Sequence, residues 1–559
     1  MRTSFLLRGW HHEHRRDARV LGELGQDLWR QRQEERRQEE IRGQGLEEIV
    51  EEISQKIDGQ EVVAELPRPS HRLGLFIGLL VTAACLVYSG LRAPTPAVNE
   101  PHYLAKARHF FDPAWCTGDF FLESSNPHLV FYVLAGPLTQ AFPLATVAWI
   151  GRILGLLLLG TGWAALVRHL VADHWAALIA TAGFLLAAAT GNLSGEWVVG
   201  VVESKLFAYG LLAWSAANAI NKRPRLAAVL CGLAISVHPI VGGWGLVLAV
   251  LALPLPINRQ RVIQAGLVIL CALPGAIPAL ALLGDGTTQA DSIQVFARLG
   301  HHLVPSRFSA PAVITNILGQ AAWIGIRRFT VSAPEESWWT RVVLASVLVA
   351  VVGYAVALDR PPGDAPGDNL RVVLMKFYPY RLVDVLLPAA LSITIAGLLT
   401  RHVTLRARLV ITAAMLLLAL VLPARDRNPS RLNRETLADW TDTCRWIDAN
   451  LPEDAVVLTP RGSWAFKWYA RRAEYVVFKD CPHNAIGIVE WDRRLQLRGR
   501  WLLDIQFGKP PGQTTATAFP DGTITHILWR RGEHPTSLDG LDELFATPHH
   551  VVYAAPGAQ

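Results

Sequence analysis

Asn99-Glu100-Pro101-His102-Tyr103 directly follows the first long apolar segment of the chain, and further apolar segments come after it. The stretch runs on through Lys106, Arg108 and Asp112 to Gly118-Asp119-Phe120-Phe121 and Asn126-Pro127-His128. A polar loop held between apolar segments is where a membrane protein keeps titratable groups beside a lipid. Proline suits the first helical position, since its missing N–H would lack a partner there anyway. The residue before proline is pushed toward extended geometry, which holds Glu100 where the chain turns into a helix. Its carboxylate then feels the positive end of the helix dipole, a setting for a base or an electrostatic anchor. His102 and Lys106 share a face of that helix at i,i+4.

Outward from this loop the chain is apolar. Of 559 residues 51% are hydrophobic and 18% charged, against about 25% charged in soluble domains, so this is not a soluble globular chain. Segments such as 73–91, 341–358 and 405–422 are long enough to cross a bilayer as helices. About eleven spans are expected, near 73–92, 146–167, 174–191, 206–220, 226–238, 240–255, 262–283, 311–326, 340–358, 382–399 and 406–423. The net charge of +6 matters less than where the basic residues sit, and nothing points to nucleic acid. With the N-terminus inside, Arg168, Lys222-Arg223, Arg225, Arg259, Arg261, Arg327-Arg328, Arg401, Arg406 and Arg408 all fall in cytoplasmic loops. That topology needs 129–142 to be an external or half-inserted helix. It also needs 226–254 to be two short helices broken near His238-Pro239. Four external stretches then converge, 93–145, 192–205, 284–310 and 359–381.

The expected fold is thus an α-helical multispanning membrane protein with a small C-terminal extracytoplasmic α/β domain. Residues 1–72 read as a polar cytoplasmic extension, partly helical or disordered. Residues 73–424 read as the transmembrane domain, with 93–145 its first external loop. Residues 425–559 alternate helical and strand-like segments, with strands expected at 455–459, 475–478, 525–529 and 550–553. The six cysteines show no metal-binding spacing. Cys444 and Cys481 share the C-terminal part, and a disulfide between them is expected if it faces an oxidising compartment.

Several residues outside the opening loop can carry chemistry. Glu203 and Lys205 open an apolar helix, and ionisable groups there face a cavity or a partner; a mutual pair, or one with Glu196, accounts for them equally well. His238 sits in a break where irregular backbone should line protein or a cavity, either packing there or donating to a phosphate or sugar hydroxyl. Lys376, Tyr378 and Arg381 flank the start of a late span. They suit a lipid phosphate, or an ordinary aromatic and basic interface belt. Arg298, His301 and His302 form a second basic candidate.

The opening stretch resembles the first external loop of the GT-C glycosyltransferases, multispanning enzymes that use polyprenyl-phosphate-linked sugars. Asn99-Glu100 with Tyr103, then Gly118-Asp119-Phe120, then Asn126-Pro127-His128-Leu129 stand where that loop carries Asp-Glu with Tyr, a Gly-Asp-aromatic step and Lys-Pro-Pro-Leu. The resemblance is one of layout over about residues 73–425. Asn99 replaces the family's catalytic Asp and Asn126 its Lys. The resemblance implies a catalytic pair in Glu100 and Glu203. It implies substrate contacts from Tyr103, Lys106, Asp119, His128, Lys205, His238, Lys376, Tyr378 and Arg381. The donor it implies is a polyprenyl-phosphate-linked sugar, and the acceptor a glycan, lipid or protein on the outer side of a bacterial inner membrane. No spacing calls for a cofactor, and the need for a divalent metal stays open. Two other classes compete: a non-catalytic membrane protein that keeps the scaffold for lipid or polysaccharide binding, and a transporter. The transporter is disfavoured because no inverted repeat is visible.

Overall fold

The computed structural model describes residues 71–190, 193–252, 258–282, 287–328, 334–363, 365–520, 522–532 and 537–557. The expected extension 1–72, apart from its last two residues, lies outside them. The chain is a multi-pass helical membrane protein with a small sheet near its C-terminus. Among the described residues five helices are long and apolar enough to cross a bilayer: Arg72–Arg92, Leu144–Leu170, Arg259–Ala281, Ser337–Val356 and Arg381–His402. Shorter apolar helices cover Leu129–Ala141, Ala176–Thr190, Pro224–Val237 and Pro239–Leu251.

The helices that matter for the site are brought together by absent side chains. With little hydrophobic drive between helices in lipid, close approach depends on small residues. A Cβ at Gly155 would stand 2.5 Å from Leu206 Cδ2, so the Leu144–Leu170 helix presses against the Ser204–Ile220 helix at its first turn. That contact sets Arg152 beside the segment leading to Glu203. The break at 238 has an equally local cause. His238 is the last residue before Pro239, sits at φ −144° and ψ 96°, and ends the Pro224–Val237 helix. It also caps the next helix, with Nδ1 accepting the Val241 N–H at 3.2 Å. Proline at the first position of that new helix is tolerated.

After the last apolar helix, Leu405–Val421, the chain becomes polar. The Arg434–Asn450 helix starts where Asn433 accepts the Thr436 N–H at 2.8 Å. Five strands follow: β1 Val456–Leu458, β2 Ala473–Glu474, β3 His526–Arg530, β4 Glu543–Ala546 and β5 His550–Ala554. Their order in the sheet is β2-β1-β3-β5-β4. β1 runs parallel to β2 and β3, and β5 is antiparallel to β3 and β4. Two expectations are corrected here. The strand placed at 475–478 lies instead at Ala473–Glu474. Cys444 and Cys481 do not pair: both are buried free thiols in separate apolar clusters. Mass spectrometry of the non-reduced protein should therefore find both thiols free, alkylated only after unfolding. A peptide linking the two would contradict this packing.

The Ala485–Gln506 helix has a role that its sequence pattern did not advertise. Trp491, Trp501 and Ile505 from this helix join Tyr475, Ile527 and Trp529 in one core, which also takes in Ala290 from the 287–298 segment. The sheet unit is thus packed onto polar loops of the helical part. The segment 478–483, just before this helix, lies over the opening loop.

Candidate active site

An asparagine just before a helix normally turns its side chain back to cap the first N–H groups. Asn99 precedes the Glu100–Phe111 helix and makes no such bond. Glu203 precedes the Ser204–Ile220 helix in an extended conformation and makes none either. The two side chains meet each other instead: Asn99 Nδ2 donates to Glu203 Oε2 at 2.8 Å. Asn99 Oδ1, the other end of the same amide, accepts from Lys479 Nζ at 2.7 Å. Two helix N-termini, each with uncapped N–H groups and a positive dipole end, therefore lie at one carboxylate.

Cations surround that carboxylate. Lys205 Nζ stands 3.2 Å from Glu203 Oε1 and 3.3 Å from Glu196 Oε1. Arg381 Nε lies 3.1 Å from Glu196 Oε2, an ion pair without hydrogen-bond alignment. Its guanidinium covers the Tyr378 ring at 3.7 Å. Arg298 donates to the Lys479 carbonyl at 2.7 Å, and its buried Nε has no hydrogen-bond partner among the described residues. Lys205 and Arg381 thus pair with Glu196 and Glu203, and Lys479, with Arg298 beside it, lies within electrostatic reach of Glu203. Asp384, beside them, is spent on the backbone N–H groups of Leu193, Ser194 and Glu196. The crowding of positive charge is visible in the lysine from the C-terminal unit. Burial pushes Lys479 down to about 8, and the Arg298 guanidinium adds to the shift. His302 donates to or accepts from nothing charged; burial, then Arg381, push it down to about 3.

Next to this group opens a cavity of about 780 Å³, lined by Tyr209, Trp244, Tyr378 and Arg381 at one end and by Lys222 and Arg261 at the other. Its wall follows the Tyr209 to Ile220 part of the Ser204–Ile220 helix, about 17 Å at 1.5 Å per residue. Most of its wall is aliphatic or aromatic.

Several expected site residues are engaged in contacts within the protein. Glu100 is wholly buried and gripped by Arg152: Nε to Oε1 at 2.6 Å and Nη2 to Oε2 at 2.9 Å. The backbone N–H groups of Ala97 and Val202 take the remaining lone pairs. A carboxylate so occupied has no lone pair turned toward a substrate, and we propose a structural role for Glu100 in place of the catalytic one its sequence setting suggested. Lys106 is buried with its ammonium on the carbonyls of Phe121, Leu122 and Ser124 and on Ser124 Oγ. Asp119 accepts from the N–H groups of Phe121, Leu122 and Glu474 and pairs with Lys467 at 3.3 Å. Lys376 is paired with Asp291. Lys106 and Asp119 hold loops together through these bonds, and Lys376 ties its segment to Asp291.

Tyr103, His128 and His238 fall together. Tyr103 Oη lies 3.3 Å from His128 Nε2, and the His128 and His238 rings stand 4.7 Å apart. Two further histidines, His102 and His483, border them. His102 Nδ1 meets Asp480 at 2.9 Å. Burial alone would push the Asp480 carboxyl up, but Lys467 and His102 hold it well below the usual carboxylate range. Sequence reasoning missed Lys479, Asp480 and His483, which lie about 380 residues beyond the loop they contact. It also missed Arg152, whose signal was a lone charge inside an apolar segment.

The family that matches this chain is a domain of unknown function, DUF6798, over residues 438–497, a stretch that contains Lys479, Asp480 and His483. No curated protein matches. Among solved structures the chain is similar to arabinofuranosyltransferase AftD from Mycobacteria, at 17% identity over 86% of this chain and 40% of that one, with a TM-score of 0.47. A mutant form of AftD gives 15% identity, 86% and 41% coverage and a TM-score of 0.49. The chain thus spans about two fifths of AftD. It is also similar to ArnT from Cupriavidus metallidurans bound to undecaprenyl phosphate, at 11% identity over 87% of this chain and 98% of that one, with a TM-score of 0.48.

Proposed function

We propose that this chain is a GT-C-like membrane glycosyltransferase that moves a sugar from a polyprenyl phosphate to an acceptor hydroxyl on the extracytoplasmic side. The observation that carries the reading is Glu203, a carboxylate at two helix N-termini paired with Lys205, close to Arg381, which lines a long apolar cavity. Each part has a chemical counterpart. The apolar cavity suits an isoprenoid tail. The excess positive charge of Lys205, Lys479, Arg298 and Arg381 suits a phosphate that gains charge as it leaves. Glu203 suits the base that takes the proton while the acceptor oxygen bonds to the anomeric carbon and the carbon–phosphate-oxygen bond breaks. Asn99 orients Glu203 by donating to it, and Lys479 fixes which way round the Asn99 amide sits. The extracytoplasmic placement is supported by Arg223, Arg225 and Arg259, which gather around one pocket at the far end of the bundle, as basic loops do on a cytoplasmic face.

A second reading, a lipid-binding protein without transfer, draws on Asn99 standing where the resemblance expects an aspartate. The two readings share the lipid-phosphate site and differ in turnover. The site itself is tested by binding of polyprenyl phosphate to the protein in nanodiscs. Arg381→Gln should weaken it by about tenfold or more, the worth of a charged hydrogen bond. Unchanged affinity in that variant would remove the phosphate from the place assigned to it.

A further inference from the structure

The transfer chemistry leaves the four histidines unused. The His128 ring lies 4.7 Å from that of His238 and 5.9 Å from that of His483, which is 6.2 Å from that of His102. Their nitrogens can be assigned one by one. Asp480 is an ionised acceptor, so His102 Nδ1 carries the proton and its Nε2 keeps a lone pair. The Val241 N–H donates to His238 Nδ1, so the His238 proton sits on Nε2. That proton bars His238 Nε2 from a metal, and among the described residues no group of three or more His, Cys, Asp or Glu is arranged to hold one.

Two polar atoms in this cluster are unsatisfied. His128 Nδ1 and Tyr132 Oη are buried and, among the described residues, have no hydrogen-bond partner. His128 is 8% exposed and the two rings are 6.3 Å apart. A buried polar atom left alone costs about 1–3 kcal/mol, and native proteins rarely keep one without a use. His483, by contrast, is exposed, so the cluster opens onto space rather than onto packed side chains. Burial also favours the neutral form of two of these rings: it pushes His128 down to about 3 and His102 below the usual histidine range.

A ligand for such a surface must be neutral, and must both donate and accept at short intervals. Hydroxyl groups do both, and several on one ring would meet the His238 donor, the His102 acceptor and the free His128 nitrogen together. We propose that His102, His128, His238 and His483 form the binding site for a neutral sugar ring, an inference that rests on the transferase reading. His238 lies within electrostatic reach of Lys205 and Arg381, so a sugar borne on a phosphate held by those cations meets the cluster directly. An acceptor sugar entering past His483 would use the same hydrogen bonds.

The test uses the full chain in nanodiscs and four probes: bare polyprenyl phosphate, polyprenyl-phosphoryl pentose, polyprenyl-phosphoryl hexose, and methyl glycosides of both sugars added with the bare lipid. One sugar-bearing lipid should bind about tenfold or more tightly than the bare one, the worth of two or so added hydrogen bonds. His128→Phe, close in volume, and His483→Ala, at an exposed position, should bring that ratio to within about twofold while leaving bare-lipid affinity alone. If only the methyl glycosides show the histidine-dependent gain, the site stands and the acceptor is its source. No gain from any sugar, or equal weakening of bare and sugar-bearing lipid in both variants, overturns the proposal. The bare lipid reports separately on the transferase reading: glycoside binding without lipid binding keeps the sugar site and removes the polyprenyl phosphate.

Discussion

Glu203→Gln should lower the rate of sugar transfer by about 100-fold or more, the usual worth of a positioned acid–base group, while donor binding changes little. Glutamine keeps the shape of the side chain and can still accept from Asn99 Nδ2 through its carbonyl oxygen. It cannot take a proton from an acceptor hydroxyl. Transfer measured with a polyprenyl-phosphoryl sugar, alongside lipid binding, separates the two effects. A variant with wild-type turnover would sink the assignment of Glu203 as base. A wild-type protein that binds the lipid and transfers nothing would favour the scaffold reading, with Asn99 as the reason.

Glu100→Gln should act on stability instead. Removing one partner of a buried ion pair leaves the other charge without compensation and costs about 3–5 kcal/mol. Here the orphan would be Arg152, 0% exposed in its side chain. Unfolding in detergent should show the loss directly. Arg152→Met added to Glu100→Gln should recover part of it, since replacing both members of such a pair with similar volume is often nearly neutral. A Glu100→Gln protein of normal stability with turnover lost by 100-fold or so would instead return Glu100 to the chemistry.

The contrast between these two glutamates shows what was legible in the sequence. Both stand at a helix start, and both were marked as candidates for that reason. Local signals drew attention to Glu203, Lys205 and Arg381, which the fold brings together around Glu196, because a charge at the edge of an apolar segment is conspicuous wherever its partner lies. The helix break at His238-Pro239 was legible for a similar reason, since proline acts on its own neighbours. What decides the role of Glu100 is Arg152, 52 residues away, and only packing brings them together. An arginine in the middle of an apolar segment was the available clue, because such a charge demands a buried counter-ion. The surroundings of Lys106 and Asp119 were illegible for the same cause: their partners are mostly backbone groups, which leave no trace in residue types. Lys479, Asp480 and His483 lie in an unremarkable polar stretch, and nothing local ties them to a loop about 380 residues upstream. The sheet strands at β1, β3 and β5 followed from β-branched runs, whereas β4 carried too few of them to stand out.

The contacts of the 478–483 segment bear on how the protein is born. Ribosomes deliver the apolar helices, with Asn99 and Glu203, long before Lys479 exists. Until the tail has been synthesised and has folded onto the opening loop, the Asn99 amide lacks the ammonium that orients it, and His102 lacks Asp480. A chain caught part-way through translation therefore sits in the membrane with Asn99 and His102 short of these partners. Residues 478–483 thus complete the polar contacts of the opening loop only after the C-terminal part has folded.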